Sequence, residues 1–216
     1  METALKVAII GLGNIGKVVA KNLVTGNQPV IVAGRKLEDA QVFANALGSL
    51  VTAKETVEAI KEADVVVLSV WYNTIQEFFK TYATELRGKI IIDPSNPIAP
   101  DEKGGFKKII AENQSAGQLN AAILPQDAKL VKAFGTLGAA SLENASSGTD
   151  EKSVLFYASD DNAIDITVEK LILASGFAPL KVGGIDQSIR LEVFGDLHEF
   201  GAIGKTVNVA EGKTKI

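Results

Sequence analysis

Leu5–Ile10 is a short, largely apolar run that passes straight into Gly11-Leu12-Gly13-Asn14-Ile15-Gly16, and Asn14–Val24 then has apolar residues at helical spacing. A buried strand that turns into a helix across three glycines has few ways to fold, and it predicts the opening of a βαβ unit. The rest of the chain keeps the alternation. Strand-like runs at Pro29–Ala33, Leu50–Val51, Asp64–Val70, Lys89–Asp93, Lys129–Phe134, Val154–Ala158 and Ala178–Val182 are spaced by helical segments. Those helices are Leu37–Leu47, Lys54–Glu62, Asn73–Leu86 with Asn73 as its cap, Ser115–Leu124, Ala139–Glu143 and Asn162–Ala174. Asp101–Gly105 reads as a surface loop, Ile185–Phe200 as mainly helical, and Gly201–Ile216 as an irregular tail. The pattern predicts an α/β fold: a doubly wound parallel (Rossmann) sheet with helices on both faces and a smaller α/β C-terminal extension. The polar stretch Ser146–Lys152 divides the chain into 1–145 and 146–216, the second part continuous with the first.

In such a turn the first glycine makes the bend, the second leaves room for a pyrophosphate, and the third lets the helix approach the sheet. Gly11, Gly13 and Gly16 take these places. The free amides at the start of the helix face the phosphates, which assigns Gly11, Leu12, Gly13, Asn14, Ile15 and Gly16 to a dinucleotide. NAD sites place an Asp or Glu after the second strand, on the ribose 2′-hydroxyl. Here the second strand is followed by Gly34-Arg35-Lys36. Gly34 leaves space, Arg35 can pair with a 2′-phosphate and Lys36 adds a point charge, so the sequence favours NADP(H). The plainer alternative is two solvated basic residues opening a helix.

Ligands of an open α/β sheet lie beyond the carboxyl ends of its strands. Val70-Trp71-Tyr72, Asn96-Pro97 and Phe134-Gly135-Thr136 stand at three such ends and are expected to converge near the nicotinamide. Trp71 reads equally well as a core residue capping the sheet.

Composition removes other chemistries. There is no cysteine and one histidine, which excludes disulfides, thiolate catalysis and Cys or His metal sites, and no metal is expected. The net charge of −4 argues against nucleic acid. No apolar segment precedes the first strand and no long apolar run follows, so neither a signal peptide nor a membrane span is expected, and the cytoplasm is the default location.

With these stretches in view, the chain resembles the deazaflavin-dependent (coenzyme F420) NADP oxidoreductase family. The resemblance rests on the glycine turn with Asn14, on Gly34-Arg35, on Asp93-Pro94-Ser95-Asn96-Pro97, on Val131-Lys132-Ala133-Phe134-Gly135-Thr136, and on a late strand ending in Asp160-Asp161. It runs from about residue 5 to about residue 200. Gly135 departs from it, because many members carry Asn there. The resemblance implies a Rossmann fold, NADP(H) and hydride transfer to a small-molecule acceptor of the flavin or deazaflavin kind. Such chemistry belongs to the cofactors and needs no strong acid, and no catalytic residue is assigned. His198 is read first as a packing residue and second as an acceptor contact; Lys132 is read as structural; Arg190 is the one cation able to anchor a carboxylate substrate instead. A short-chain dehydrogenase is excluded, since Tyr72, Tyr82 and Tyr157 are followed four places on by Gln76, Leu86 and Asp161. A β-hydroxyacid dehydrogenase needs a larger helical domain than the C-terminal part provides. A non-enzymatic NADP(H)-binding redox sensor is the alternative. Ile203, Val207 and Val209 in the tail suggest a surface to cover, hence a homodimer.

Overall fold

The computed structural model describes residues 5–147 and 151–216. Part of the expected boundary at Ser146–Lys152, residues 148–150, and residues 1–4 at the N-terminus lie outside them. The first half runs β1 (Val7–Ile10), α1 (Asn14–Thr25), β2 (Val30–Ala33), α2 (Leu37–Leu47), β3 (Val51–Ala53), α3 (Thr56–Glu62), β4 (Val65–Leu68), α4 (Tyr72–Thr81) and β5 (Ile90–Asp93). A hairpin follows, β6 (Ile98–Pro100) and β7 (Phe106–Lys108), and between its strands lies the exposed Asp101–Gly105 loop. Then come α5 (Ala116–Ala121), β8 (Lys129–Lys132), α6 (Ala139–Asn144), β9 (Val154–Ser159), α7 (Asp165–Ala174), β10 (Ala178–Lys181) and α8 (Val209–Lys213).

Eight strands form one sheet in the order β10-β9-β8-β5-β4-β1-β2-β3. Val7 of β1 pairs with Val30 on one side and Val65 on the other, both in parallel. Successive strand side chains point to opposite faces, and the two faces of β1 show it. Val7 and Ile9 pack with Val19 and Leu23 of α1, Ala40 of α2, Leu142 of α6 and Leu171 of α7. Ala8 and Ile10 pack with Ile60 of α3 and Ile75 and Phe79 of α4. Helices therefore cover both faces, as a parallel sheet buried on both sides requires. The predicted doubly wound α/β fold is the observed one.

The structure corrects several local expectations. β9 pairs antiparallel with β8, through Val131 with Ser159 and Lys132 with Ala158, and β10 runs parallel to β9. The last two strands therefore run against the other six, and Asp160-Asp161 falls at the edge opposite the glycine turn. An ion pair between Asp161 and Lys129, the first residue of β8, marks that edge. Helix α4 starts at Tyr72 with Trp71 at the cap position, because the N–H and the hydroxyl of Thr74 both close on the Trp71 carbonyl. Asn73 lies inside the first turn, and the helix stops at Thr81 rather than Leu86.

Ile185–Phe200 is not mainly helical: a 3₁₀ segment covers Ile185–Arg190 and turns cover the rest. Its amides follow no α-helical ladder: Gly195 and Leu197 N–H bond within the segment, to the Glu192 and Arg190 carbonyls, while Val193 N–H goes to Asn96 Oδ1 and Glu199 N–H to the Thr136 carbonyl. The tail is more ordered than its sequence suggests. Asn208 caps α8 by accepting from the Glu211 N–H. Val207 is buried, and Ile203 and Val209 pack beside it on Val154, Phe156 and Ala158 of β9. The chain's own strand covers these residues, which removes the ground on which a homodimer was expected.

Candidate functional site at the carboxyl edge of the sheet

Gly11 has φ +97°, and a Cβ there would stand 2.2 Å from the Ser69 carbonyl oxygen. A Cβ at Gly16 would stand 2.0 Å from the Gly11 carbonyl oxygen. These two glycines are demanded by the fold itself. Gly13 differs, because a Cβ there would meet nothing within 4 Å. Helix α1 begins at Asn14, and its first backbone bond runs from Lys17 N–H to the Gly13 carbonyl. The amides before Lys17 have no helical acceptor, and with the helix dipole they form a seat for an anion. No acidic side chain occupies the first turn. Space at Gly13 and free amides at Asn14, Ile15 and Gly16 fit a pyrophosphate.

Beside this turn lies a cleft of about 380 Å³ lined by Ile10, Gly11, Gly34, Arg35, Glu55, Thr56, Val57, Val70, Phe78 and Tyr82. It joins the glycine turn, the end of β2 and the end of β4, so Gly11, Gly34, Arg35 and Val70 share one wall system. Arg35 is exposed. A Cβ at Gly34 would make ordinary contact with Leu12 at 3.8 Å, so glycine is not required there by packing. Lys36 is exposed at the start of α2 and lies outside the lining. Sequence reasoning missed Thr56, Val57, Phe78 and Tyr82. Phe78 and Tyr82 are an i, i+4 pair with ring centroids 4.6 Å apart. That spacing reads as helix core, and only the position of α4 over the cleft gives it another meaning.

The second group of expected residues sits at the ends of β5 and β8. Asn96 Nδ2 donates to the Gly135 carbonyl at 3.1 Å, and its Oδ1 accepts from Val193 N–H at 2.7 Å. Asn96 therefore ties three segments together. Phe134, Gly135 and Thr136 are buried, as is Pro97, so they do not form the open lining that the sequence suggested. Gly135 is set by packing, since a Cβ would stand 2.5 Å from the Pro94 carbonyl oxygen. Trp71 is 60% exposed, which decides against its reading as a core cap.

Beneath these loops is a buried polar cluster that the sequence did not announce. Lys132 pairs with Asp93 at 3.2 Å and also donates to the Ser95 carbonyl. Asn120 Nδ2 donates to Asp93 at 2.9 Å. Glu192, 2% exposed, accepts from the N–H groups of Ala116 at 3.0 Å and Gly117 at 2.9 Å. The Ser115 and Ser188 hydroxyls meet at 2.8 Å. Burial pushes the Glu192 carboxyl above its usual range, against the pull of Lys132 and the two amides. Burial, followed by the nearby charges of Glu192 and Asp93, raises the Tyr72 phenol and keeps it protonated.

His198 is buried, and burial lowers its imidazole to about 4. One ring nitrogen donates to the Gly135 carbonyl, and Nδ1 accepts from Phe200 N–H at 2.9 Å. Both nitrogens are used in holding the fold, so the packing reading prevails. Arg190 is engaged by Asp196 at 2.8 Å and by the Lys215 carbonyl at 2.6 Å, and is not free to anchor a carboxylate substrate. Among the described residues no cluster of His, Asp and Glu is arranged to hold a metal ion, and no helix is long and apolar enough to cross a membrane.

Comparison with known proteins agrees with this geometry. Residues 6–97 match the family described as NADP oxidoreductase, coenzyme F420-dependent. The chain is 25% identical to an F420-dependent NADP reductase of Methanocaldococcus jannaschii, over 87% of this chain and 88% of that one. Its fold is similar to a hypothetical protein from Sinorhizobium meliloti, with TM-score 0.82, 26% identity, and coverage of 96% and 97% of the two chains. It is also similar in fold to a candidate F420-dependent NADP reductase from Arthrobacter sp. FB24, with TM-score 0.71, 21% identity, and coverage of 85% and 87%. The resemblance read from the sequence stands.

Proposed function

We infer, from its place among the NADP-dependent oxidoreductases, that this chain binds NADP(H) in preference to NAD(H) and passes hydride between it and a flavin-like or deazaflavin acceptor. The observation that carries the reading is the end of β2, where Gly34 and Arg35 line one cleft with Gly11 and no Asp or Glu directly follows the strand, the one carboxylate of the lining being Glu55 after β3. In this reading the amides opening α1 hold the pyrophosphate, and Arg35 makes paired hydrogen bonds to the 2′-phosphate. Val57, Val70, Phe78 and Tyr82 provide the apolar part of the adenine seat.

NADPH, when bound, supplies the hydride. The protein's part is to hold two rings at stacking distance, and a flavin-like acceptor takes its proton from water. This agrees with a strand edge that offers no strong acid among the described residues: His198 is bonded at both nitrogens, burial makes the Tyr72 phenol a weaker acid than usual, and Arg190 is paired.

Calorimetric titration with NADPH and NADH tests the cofactor. Arg35→Ala is expected to cost about 1.5–3 kcal/mol in NADPH affinity, the range for hydrogen bonds to charged groups, and little with NADH. Equal affinity of the native protein for both dinucleotides would overturn the reading. Steady-state assays with flavins, a deazaflavin, a quinone and a 2-keto acid test the acceptor; efficient turnover of the keto acid alone excludes it.

A further inference from the structure

Four non-glycine residues among those described have positive φ: Asn27, Asp127, Phe134 and Phe194. Asn and Asp visit this region at little cost, whereas a bulky residue there is an outlier that something must hold in place. For Phe134 the reason is packing, since it is fully buried in the main core. Phe194 has φ +75° and is 53% exposed. Core packing does not account for it.

What holds Phe194 is a strap, residues 192–200, stapled across the ends of β5 and β8. On one side of it the Glu192 carboxylate accepts from Ala116 and Gly117, and Val193 N–H donates to Asn96. On the other side Gly195 N–H closes on the Glu192 carbonyl at 2.7 Å, and Leu197 N–H bonds to the Arg190 carbonyl. A Cβ on Gly195 would stand 2.4 Å from the Ile189 carbonyl oxygen, so the strap has little freedom there. Further along, His198 bonds to Gly135 and Glu199 N–H to Thr136. Phe194 is thereby fixed one residue from the bond that joins the strap to Asn96 and, through Asn96, to Gly135. This is the carboxyl end of β5 and β8. Trp71, 60% exposed, stands at the carboxyl end of β4, next to β5 in the sheet. A dinucleotide whose phosphates lie on the glycine turn extends its nicotinamide toward this stretch of the edge.

We propose that Phe194, with Trp71, forms an aromatic lip that stacks on a planar conjugated hydride acceptor of the isoalloxazine or deazaisoalloxazine class. The inference rests on the hydride-transfer reading above and names the residues that select its second substrate. A backbone held in place by the strap loses little freedom when the acceptor arrives, so only the side-chain torsions of Phe194 offset the stacking. Local charge favours the same class. Glu192 and Asp93 lie beneath the strap, and Arg190 is taken by Asp196, so a small carboxylate finds no free cation here.

Trp71 is the chain's only tryptophan, so quenching of its fluorescence reports ring binding. The probes are FMN, riboflavin and a 5-deazariboflavin, each titrated with and without saturating NADP+. In the native protein at least one of them is expected to quench. Phe194→Ala and Phe194→Leu should weaken that binding on the order of tenfold, a modest stacking energy, while Phe194→Tyr retains it and Phe194→Trp, which adds a second fluorophore, retains it when followed by the flavin's own absorbance. NADPH affinity should stay within about twofold in all four variants. Phe194→Leu binding the ring as well as the native protein would show that only apolar bulk matters and would overturn the proposal, as would absence of quenching by any probe in a protein that binds NADPH normally. Failure of the native protein to bind NADPH would instead overturn the cofactor reading, and the titrations without dinucleotide would still judge the lip.

Discussion

The glycine turn at residues 11–16 and the strap at residues 192–200 lie on the same edge of one sheet and are built in opposite ways. The turn is made from missing side chains: two glycines admit backbone contacts that no Cβ allows, and a third leaves a space open. Gly11 N–H bonds to the Ala33 carbonyl, and the amides opening α1 have no helical acceptor. The strap is made from side chains that reach far. Asn96, Glu192, His198 and Glu199 bond to backbone groups in other segments, and the strap's polar groups are largely spent on the fold. One region keeps its hydrogen-bonding capacity for a ligand. The other uses it up in holding a segment that exposes two rings, Phe194 and Phe200. In the proposed reading a dinucleotide is met by backbone, and an acceptor by a ring whose backbone distant side chains hold in place.

The largest effect should separate the roles of the glycines. Gly11→Ala must place a Cβ against the Ser69 carbonyl at positive φ. The combined strain and overpacking should cost about 3–4 kcal/mol of stability. Gly13→Ala meets open space, so urea unfolding should be nearly unchanged while NADPH affinity falls at least tenfold. A Gly13→Ala protein as unstable as Gly11→Ala would break the distinction between fold-demanded and ligand-demanded glycines.

Next, Glu192→Ala leaves two buried amides unpaired, a loss of about 3 kcal/mol in urea unfolding. NADPH titration should show the dinucleotide site intact, because the turn shares no bond with the strap. A fall in NADPH affinity as large as the fall in acceptor affinity would mean that the two regions are one mechanical unit.

The smallest effect follows from His198. Its imidazole is neutral in the fold down to about pH 4, whereas in the unfolded chain it takes a proton near 6.5. The stabilisation is complete above that value and is lost as pH falls from 6.5 toward 4, by about 2 kcal/mol at pH 5. His198→Gln should flatten this part of the stability–pH curve relative to the native protein. An unchanged slope would show that the strap does not exclude the charged imidazole.

Much of the fold was legible because its causes are local. Short apolar strands alternate with helices, and glycines mark the first crossover, so the sheet, its two covered faces and the phosphate turn follow from neighbouring residues. The place of Arg35 beside the glycine turn was legible for the same reason, since it depends only on following β2. The errors came where local signals compete with distant bonds. Ile185–Phe200 has helical composition, but its amides find better partners on Asn96 and Thr136, and Phe194 breaks the winding. The tail looked like an uncovered surface because nothing local says that β9 lies beside it.

Sequence alone therefore determined the glycine turn with the strand and helix that flank it, because these follow one another in the chain and glycine sets the bend between them. Only the tertiary structure decided the strap. Glu192 lies 75 residues from the Gly117 amide it accepts from, and Val193 lies 97 from Asn96. Whether such side chains face solvent or bury their polar atoms in distant backbone depends on how strands β5 and β8 come together, and no pattern within a short window carries that information.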